Sequence, residues 1–239
     1  MAISAVLLAY KEAEKLKVLL PKIKQQLDKI GEEYEIIIVD TMKPLDDTPA
    51  VCKKFGARYV NQRLPHFGGA FRTGIKAARY DKFLIMDSDG SHNPIYIPDI
   101  YKKFVSGADV VIGSRYVKGG KTNDSKVSII MSHILNFVFR IITGIKAKDI
   151  STDFRMYDTK QLKAVKLTCQ NYDILQEVLL KMKINNRKLV VKETPIVFEK
   201  RLYGESKRQL FKFILGYVKT LFMLIGVRIN ASFNKNRQK

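Results

Sequence analysis

The chain has 239 residues, of which 46% are hydrophobic and 28% charged, which fits one α/β domain or two small ones around a sizeable core. Cys52 and Cys169 match no metal-binding or redox spacing, so we expect free thiols in a reducing compartment. The first residues lack the basic region and cleavage site of a signal peptide and predict a strand. No uncharged apolar run reaches 18 residues, so we expect no conventional transmembrane helix.

Lys and Arg outnumber Asp and Glu by 43 to 23, a formal net charge of +20. This excess favours a polyanionic partner, either nucleic acid or an anionic membrane surface. The alternative is that many of the lysines simply lie on solvated helix faces. The chain has no zinc-ligand spacing, RNA-recognition aromatic motif or basic recognition helix, so we do not expect it to bind nucleic acid.

The hydrophobic pattern predicts strands that alternate with helices. In chain order the predicted elements are strand Ile3–Ala9, helix Lys11–Ile30, strand Glu35–Asp40, a helix near Thr48–Phe55, strand Ala57–Asn61, helix Gly69–Ala78, strand Lys82–Met86, helix Ile97–Ser106, strand Asp109–Gly113, helix Ser128–Thr143, strand Leu189–Thr194 and helix Leu210–Val227. Continuous apolar strands alternating with helices are typical of a parallel sheet covered on both faces, so the predicted fold class is α/β.

The segment FLIMDSDGSHNP, residues 83–94, is the most informative part of the chain. An apolar strand ends abruptly in Asp87-Ser88-Asp89, which places two carboxylates at the carboxyl end of a sheet, where open α/β folds bind ligands. Such oxygen ligands suit Mg²⁺ or Mn²⁺ bridging a substrate diphosphate. The alternative is an ordinary turn, because Asp, Ser, Gly and Asn all favour turns.

Eight segments along the chain carry a resemblance to a known family. They are LLAYKEAEKL, EYEIIIVD, FGGAFRTGIKAA, MDSDGSHNP, GSRYVKGG, ISTDFRMY, NYDILQEVLLK and RLYGESK. In this order they resemble the family-two glycosyltransferases with a GT-A fold, most closely the dolichol-phosphate mannose synthase branch. The resemblance implies a Rossmann-like, mostly parallel sheet flanked by helices, with C-terminal amphipathic helices. It also implies inverting transfer of a hexose, mannose or glucose, from a GDP- or UDP-sugar to a polyprenyl phosphate.

The resemblance further implies a donor site at the strand ends. Tyr10 would stack on the nucleotide base and Glu12 would accept ribose hydroxyl bonds, although Glu12 also suits the first turn of a helix. The residues assigned to the donor are Leu8, Tyr10, Glu12, Val39, Asp40, Thr41, Asp87, Ser88, Asp89, Arg115, Arg201 and Lys207.

Asp87 and Asp89 would bind the divalent cation and stabilise the leaving diphosphate as a catalytic pair. Ser91 stands where relatives often have a Gln ligand and would coordinate more weakly or through water. His92 is either a ligand or, more commonly for a loop histidine, a structural hydrogen-bond donor. Arg115, also assigned a catalytic role, would bind phosphate together with Arg201 and Lys207 in a basic loop, or all three would be solvated surface charges.

Asp173, Gln176 and Glu177 are assigned to the acceptor side. For a saccharide acceptor, which is the alternative function, Glu177 would be an essential general base. A lipid phosphate is already ionised and needs no base, so Glu177 would then orient its surroundings or cap the helix.

The sequence also departs from the family pattern. The usual pair of aspartates after strand two is Asp40-Thr41, and the following loop is MKPLDDT. Asp173 stands where close relatives can carry a Lys. The Ser-Gly expected before Phe154 is Thr152-Asp153. Because of these changes, the sequence does not determine which nucleotide, which sugar and which acceptor the protein uses.

The C-terminal third predicts membrane association. Leu210–Val227 is apolar with interrupting lysines and is flanked by basic residues, which favours a helix lying in the membrane interface. Ser128–Thr143 predicts a second such helix, and the alternative is that both pack on the core or form a homodimer. We therefore predict a glycosyltransferase domain at 1–205, a membrane-associating segment at 206–239, and a peripheral location on the cytosolic face. A homo-oligomer or a membrane partner subunit is compatible with this pattern.

Overall fold

The computed structural model describes residues 2–199, 218 and 220–230. Seven strands form one sheet in the order β3-β2-β1-β4-β7-β5-β8, and two short strands pair separately. The strands are β1 (Ala2–Leu8), β2 (Glu33–Asp40), β3 (Arg58–Asn61), β4 (Lys82–Asp87), β5 (Val110–Ser114), β6 (Lys121–Thr122), β7 (Arg155–Asp158), β8 (Val191–Pro195) and β9 (Val197–Phe198).

Helices cover both faces of this sheet, as the sequence predicts. They are α1 (Ala13–Ile30), α2 (Thr48–Phe55), α3 (His66–Ala77), α4 (Ile97–Val105), α5 (Lys126–Thr143), α6 (Thr159–Lys163), α7 (Ile174–Asn185) and α8 (Thr220–Asn230), with a 3₁₀ turn at Pro94–Tyr96. The α/β fold class is confirmed. Cys52 and Cys169 are both buried free thiols, as expected.

Strands β1 to β4 pair in parallel, so their carboxyl ends lie at one edge of the sheet. Leu8, at the end of β1, is in register with Val39 of β2 and Asp87 of β4. This register brings the first, second and fourth strand ends to one point. It therefore places the predicted donor residues of β1, β2 and β4 next to one another.

The strand β7 is absent from the elements predicted from sequence. It runs antiparallel to both neighbours, β4 and β5, and makes the sheet mixed. Its four residues, Arg155-Met156-Tyr157-Asp158, contain neither an apolar run nor polar alternation, because a fully buried arginine occupies its first position. Burial of Arg155 is possible because its guanidinium donates to three backbone carbonyls and a tyrosine hydroxyl.

The core is divided between the two faces of the sheet by strand alternation. In β1, Val6 packs on the α3 side, whereas Ala5 and Leu7 pack on the α1 side. Helix α3 lies very close to the sheet at Gly74, where a Cβ atom would come within 2.7 Å of the Val6 side chain. Only glycine allows this approach, and it fixes α3 beside the strand ends.

Helix α1 begins at Ala13, two residues later than predicted. Lys11 has a left-handed backbone, with φ of 58°, and Glu12 has ψ of 14°, so neither residue can continue the helix. Helix α3 begins at His66, three residues before the predicted start, directly after Pro65. Both differences lie at the sheet edge where the strand ends meet.

Helix α8 packs one face on the rest of the chain. Leu224 is fully buried against Phe139, Ile142 and Leu180, and Arg228 donates to the last carbonyls of α5. The remainder of the predicted helix at 210–227 lies outside the described residues. The division at residue 205 stays a prediction.

By length and composition alone, α5 is able to cross a membrane, with a mean hydropathy of 1.4 and only 22% of its length buried. The expectation from sequence had required a run without charges, whereas α5 includes Lys126 and Arg140. One helix of this kind is weak support for a membrane span, since core helices of soluble proteins also meet the criterion.

Candidate active site

A cleft of about 970 Å³ opens at the carboxyl ends of β1, β2 and β4. Its lining includes seven residues that the sequence assigns to the donor: Leu8, Tyr10, Glu12, Thr41, Asp87, Ser88 and Asp89. This volume is at the upper end of the range typical of small-molecule sites. The structure therefore brings most of the predicted donor residues into one cavity.

The end of β4 presents its carboxylates through a tight turn. Asp87 is partly exposed, with 28% of its side chain accessible, whereas Asp89 is buried. Ser91 donates to Asp89 Oδ1 at 2.5 Å through its hydroxyl and at 3.0 Å through its backbone amide. The Ser88 hydroxyl donates to the Leu8 carbonyl at 2.6 Å and ties β4 to β1. The two aspartates are thus held by the strand ends themselves.

His92 is fully buried below these carboxylates. Its Nδ1 accepts a hydrogen bond from the Asp87 backbone amide at 3.1 Å, and its Nε2 lies 3.3 Å from the Thr152 hydroxyl. Burial lowers the pKa of His92, so the ring is neutral at neutral pH. With the Nδ1 lone pair already used by Asp87, this histidine positions the strand end rather than coordinating a cation. The sequence left two predictions open for His92, a metal ligand or a structural hydrogen-bond donor. The structural role agrees with the second, although Nδ1 accepts a hydrogen bond instead of donating one.

Asp153 is a site residue that the sequence indicated only as a departure from the family pattern. It is 6% exposed, and its Oδ1 lies 3.7 Å from His92 Nδ1. Burial, together with the neighbouring carboxylates of Asp87 and Asp89, raises the pKa of Asp153 well above its ordinary value. A third carboxyl group therefore converges on the end of β4.

Other residues that line the cleft are aromatic or have a strained backbone. Phe67 stacks on Tyr172 with ring centroids 4.2 Å apart, and Tyr10 is 52% exposed toward solvent. Lys11 and His66 both have positive φ, at 58° and 65°, and are the non-glycine residues with this conformation in the described part of the chain. Both line the cleft. Backbone strain of this kind concentrates at functional sites.

Val39 and Asp40 lie behind the cleft wall. Val39 is fully buried, and its carbonyl accepts from the Ala9 amide at 2.8 Å. Asp40 accepts from the Tyr59 hydroxyl at 3.0 Å; burial and this bond raise the pKa of Tyr59 to about 12. Thr41, the next residue, reaches the cleft.

Asp46 belongs to the divergent loop after β2 and was not predicted as a site residue. It accepts from the Ala13 amide at 2.9 Å and from the Thr48 amide at 3.0 Å, so it bridges the starts of α1 and α2. These hydrogen bonds lower its pKa, although burial by itself would raise it. The loop that departs from the family pattern therefore still contributes to the lining of the cleft.

Arg115 does not line this cleft. Its guanidinium makes two 2.8 Å bonds to Asp149, which is fully buried, and also contacts Ser132 and Ser151. Burial alone would raise the Asp149 pKa, but the bonds from Arg115 outweigh it and hold that pKa below its ordinary value. A phosphate-binding role for Arg115 stays a prediction, and the geometry assigns it to an internal ion pair.

The three residues assigned to the acceptor side lie at the start of α7 and are buried. Asp173 accepts from the Thr220 hydroxyl of α8, and the Gln176 side chain donates to the Ile150 carbonyl at 3.1 Å. Glu177 accepts from the backbone amides of Thr168 and Cys169, both at 2.9 Å. Glu177 also accepts from Lys181 Nζ at 2.7 Å. Burial favours a higher pKa for Glu177, yet these donors lower it, so the carboxylate is stably ionised.

The charges around the cleft suit a divalent cation. Among the described residues its lining contains six carboxylates and two lysines: Glu12, Glu14, Asp46, Asp47, Asp87 and Asp89, with Lys11 and Lys15. A diphosphate would be repelled by such a surface unless cations intervened. Asp87 and Asp89 supply the hard oxygen donors that Mg²⁺ and Mn²⁺ prefer. The donor set therefore fits the predicted metal.

Arg201 and Lys207 lie outside the described residues, and their assignment to a basic loop stays a prediction. The residues that sequence reasoning missed include Lys11, Asp46, His66, Phe67 and Tyr172. The unusual MKPLDDT loop was the one available indication for Asp46. Nothing in the sequence pattern marks the left-handed conformations of Lys11 and His66.

Comparisons with known proteins identify a family and two relatives to which this chain is similar. The family described as "Glycosyl transferase family 2" matches residues 4–165. A dolichol-phosphate mannosyltransferase of Pyrococcus furiosus is 32% identical over 238 residues, covering 94% of this chain and 64% of the relative. An undecaprenyl-phosphate mannosyltransferase of Micrococcus luteus is 29% identical over 221 residues and covers 87% of each chain. The chain thus spans about two-thirds of the length of the first relative and most of the second.

Solved structures show the same fold. Glucosyl-3-phosphoglycerate synthase from Mycobacterium tuberculosis, in complex with Mn²⁺, UDP and phosphoglyceric acid, matches with a TM-score of 0.75 at 18% identity, covering 94% of this chain and 78% of that one. The same enzyme in complex with Mg²⁺ and UDP gives a TM-score of 0.74 at 17% identity, covering 94% and 79%. The fold is therefore of the GT-A type. The chain belongs to glycosyl transferase family 2, as its motifs predict.

Proposed function

We propose that this protein is an inverting hexosyltransferase that moves mannose or glucose from a nucleotide-diphosphate sugar to a polyprenyl phosphate. The observation that carries the proposal is the pair of carboxylates, Asp87 and Asp89, at the end of β4 in an acid-lined cleft. Both relatives described above are named as mannosyltransferases that use a polyprenyl phosphate, which favours mannose as the sugar. The donor is a GDP- or UDP-hexose.

Different residues of the cleft would bind different parts of the nucleotide-sugar donor. Tyr10 offers an exposed ring for the nucleotide base, and Glu12 and Thr41 lie on the same side of the cleft. Asp87 and Asp89 would hold Mg²⁺ or Mn²⁺, and such a cation would supply Lewis-acid stabilisation of the leaving diphosphate. Arg201 and Lys207 would close on the diphosphate from the basic loop.

The acceptor phosphate needs no general base, because a phosphate monoester is largely ionised at neutral pH. One of its oxygens attacks the anomeric carbon, the new C–O bond forms on the face opposite the leaving group, and the bond to the nucleotide diphosphate breaks. The environment of Glu177 favours a phosphate acceptor over a sugar hydroxyl. Its carboxylate is fully buried and already accepts from Lys181 and two backbone amides, so it is poorly suited to take a proton from a sugar hydroxyl.

A lipid acceptor requires the cleft to lie near a membrane, and α5 offers the surface for it. Five apolar residues spaced by three and four positions lie on one face of α5 and are 54–63% exposed: Val127, Ile130, Ile134, Phe137 and Ile141. Phe222 and Ile229 of α8 are also exposed, at 69% and 48%. This spacing forms a continuous stripe along a helix.

Basic residues accompany this apolar stripe. Lys126 and Arg140 belong to α5 itself, and Lys146 and Lys148 follow it; all four are exposed. Apolar stripes with basic residues are typical of helices that lie in an anionic membrane interface. We therefore extend the proposal to a peripheral location on the cytosolic membrane face, with catalysis at 1–205 and additional membrane contact from 206–239.

The test is transfer by the purified full-length chain from labelled GDP-mannose, GDP-glucose or UDP-glucose to polyprenyl phosphate or to a glycan acceptor. Asp89→Ala should reduce lipid glycosylation by about 10³-fold, because a metal-held leaving group contributes several kcal/mol. Its circular dichroism should not change. Asp99→Asn, an exposed carboxylate on α4, is the matched control and should keep full activity. Full turnover by Asp89→Ala at saturating donor, or transfer to glycans alone, would refute the proposal.

A further inference from the structure

Asp153 brings a third carboxylate to the end of β4. The segment that leads into β7 passes beside the β4 turn, where Thr152 contacts His92. The candidate ligand atoms of Asp87, His92 and Asp153 all lie within 4.8 Å of one another. The His92 Nδ1 atom lies 3.6 Å from Asp87 Oδ2 and 3.7 Å from Asp153 Oδ1, so three electron-rich atoms face each other.

Among the described residues, no Lys or Arg forms an ion pair with this group of atoms, and Arg155 attracts the Asp153 carboxyl only at longer range. The His92 Nδ1 lone pair accepts the Asp87 amide, so this nitrogen has no proton to offer to either carboxylate. Arg155 is the nearest basic residue along the chain. Its guanidinium donates instead to the carbonyls of Thr152, Ile150 and Leu175 and to a tyrosine hydroxyl. Two carboxyl groups this close, one of them more than nine-tenths buried, are both ionised only when a cation lies between them.

Ser91 is poorly placed to complete the cation's ligands. Its hydroxyl is fully buried and donates to Asp89 Oδ1 at 2.5 Å, with Asp87 Oδ2 at 3.3 Å. Its short side chain therefore orients the two aspartates. Asp153 lies on the Asp87 side of the same turn. When it gives up its proton to a bound cation, its carboxylate is a stronger ligand for a hard cation than a hydroxyl.

We propose that Asp153 is a third carboxylate ligand of the divalent cation held by Asp87 and Asp89. The inference rests on the proposed function, since it assumes the cation at this site. It also joins two departures in the sequence: position 91 has a serine where relatives often have a Gln ligand, and position 153 has an aspartate where the motif has glycine. One oxygen ligand is lost in the turn after β4, and another is supplied from the segment before β7.

The experiment measures Mn²⁺ binding to the full-length protein without nucleotide, by the electron paramagnetic resonance of free Mn²⁺ and by calorimetry. Asp153→Asn keeps the shape of the side chain and removes its charge, and we expect Mn²⁺ affinity to fall at least tenfold. Asp89→Asn should also lose Mn²⁺, whereas the control Asp99→Asn should bind it as wild type does. Thermal unfolding in EDTA should show Asp153→Asn to be no less stable than wild type.

Two outcomes separate this inference from the proposed function. If Asp153→Asn binds Mn²⁺ within twofold of wild type while Asp89→Asn does not, Asp153 is not a ligand and the proposed function stands. If wild type fails to bind Mn²⁺ at millimolar concentration, or no substitution changes its binding, both fall. A second pair of variants tests the exchange of ligands. Asp153→Gly should weaken binding, and adding Ser91→Gln to it should restore at least part of the lost affinity; no recovery would refute the exchange.

Discussion

Two neighbouring regions of this molecule contain charged residues in family motifs, and they differ in how those charges are compensated. At the end of β4, the carboxylates of Asp87 and Asp89 face an acid-lined cleft. Away from the lining of this cleft, Arg115 is paired with Asp149, and Glu177 accepts from a lysine and two amides. The carboxylates of the first region line a cleft and suit a bound cation. The second is already neutralised and therefore serves as its scaffold.

The comparison shows that a sequence motif locates a residue but does not determine whether its role is catalytic or structural. Arg115 and Asp89 are equally prominent in the sequence, and the resemblance assigns catalytic roles to both. Their partners distinguish them, because a saturated guanidinium must break two short bonds before it can bind a phosphate. Substitutions should accordingly reduce stability in the scaffold and turnover in the cleft.

The largest effect on stability is expected for Arg115→Ala. This change leaves Asp149 fully buried without its partner, and removing one member of a buried ion pair costs about 3–5 kcal/mol. Urea unfolding followed by circular dichroism measures the loss. The double variant Arg115→Met/Asp149→Leu should recover much of it, because the buried charge is then gone. A fully stable Arg115→Ala protein that has lost transfer would instead make Arg115 a phosphate ligand.

Glu177→Gln should cost about 3 kcal/mol of unfolding free energy, since a neutral amide replaces a carboxylate that accepts several charged or backbone hydrogen bonds. Turnover per folded molecule should change little. Because the folded pKa of Glu177 is lowered, its stabilising contribution is present above its unfolded pKa of about 4.3 and disappears as the pH falls through the folded value.

Urea titrations of wild type and Glu177→Gln at pH 7 and at progressively lower pH check this dependence. The stability difference between them should shrink as the pH falls. A variant that folds with wild-type stability but loses its catalytic rate would restore Glu177 as a general base and favour a saccharide acceptor.

The centre of the parallel half of the fold could be predicted from sequence because β1, β2 and β4 each contain a long apolar run. The run Phe83–Met86 that ends in Asp87 sufficed to locate the cleft. The antiparallel β7 could not be predicted, since its burial depends on backbone carbonyls from distant segments that satisfy Arg155. Sequence periodicity contains no record of such long-range hydrogen bonds.

The candidate site was predicted where residues follow strands directly and missed where loops supply them. Asp87 and Asp89 were found, whereas the convergence of Asp153 depends on how β7 passes His92. In the sequence, Asp153 was noted only because it replaces the glycine of the family pattern. Likewise, Phe67 and Tyr172 are far apart in the chain and stack because the segment before α7 packs on the start of α3, where the Gly68 amide donates to the Gln170 carbonyl at 2.7 Å.

The apolar stripe of α5 adds a third kind of region to the comparison, an exposed apolar surface that the described residues leave largely uncovered. Ile134→Glu with Phe137→Glu removes two side chains that are 54% and 63% exposed, so the fold should persist. We expect binding to anionic liposomes to weaken by about 2 kcal/mol, roughly thirtyfold, because partial burial of apolar groups is lost.

Liposome sedimentation measures this effect, and Val105→Glu is the matched control, since Val105 is an exposed apolar residue on a different helix, α4. Transfer to a short, water-soluble prenyl phosphate should stay near the wild-type rate. Unchanged liposome binding by the double variant would show that this face contacts another protein or a second copy of the chain.

The smallest effect concerns strain in the cleft. Lys11 has φ of 58° and lines the cavity, and a non-glycine residue in this conformation costs about 1 kcal/mol or more. Lys11→Gly relieves that cost but gives the unfolded chain more freedom, so we expect a net stabilisation of about 0.5 kcal/mol. Lys22→Gly, at an exposed position inside α1, is the control and should destabilise by about 1 kcal/mol. Opposite signs for the two glycine substitutions in thermal unfolding would show that the cleft stores backbone strain which the neighbouring helix does not. Equal losses would mean that the Lys11 side chain stabilises the fold by more than its backbone conformation costs.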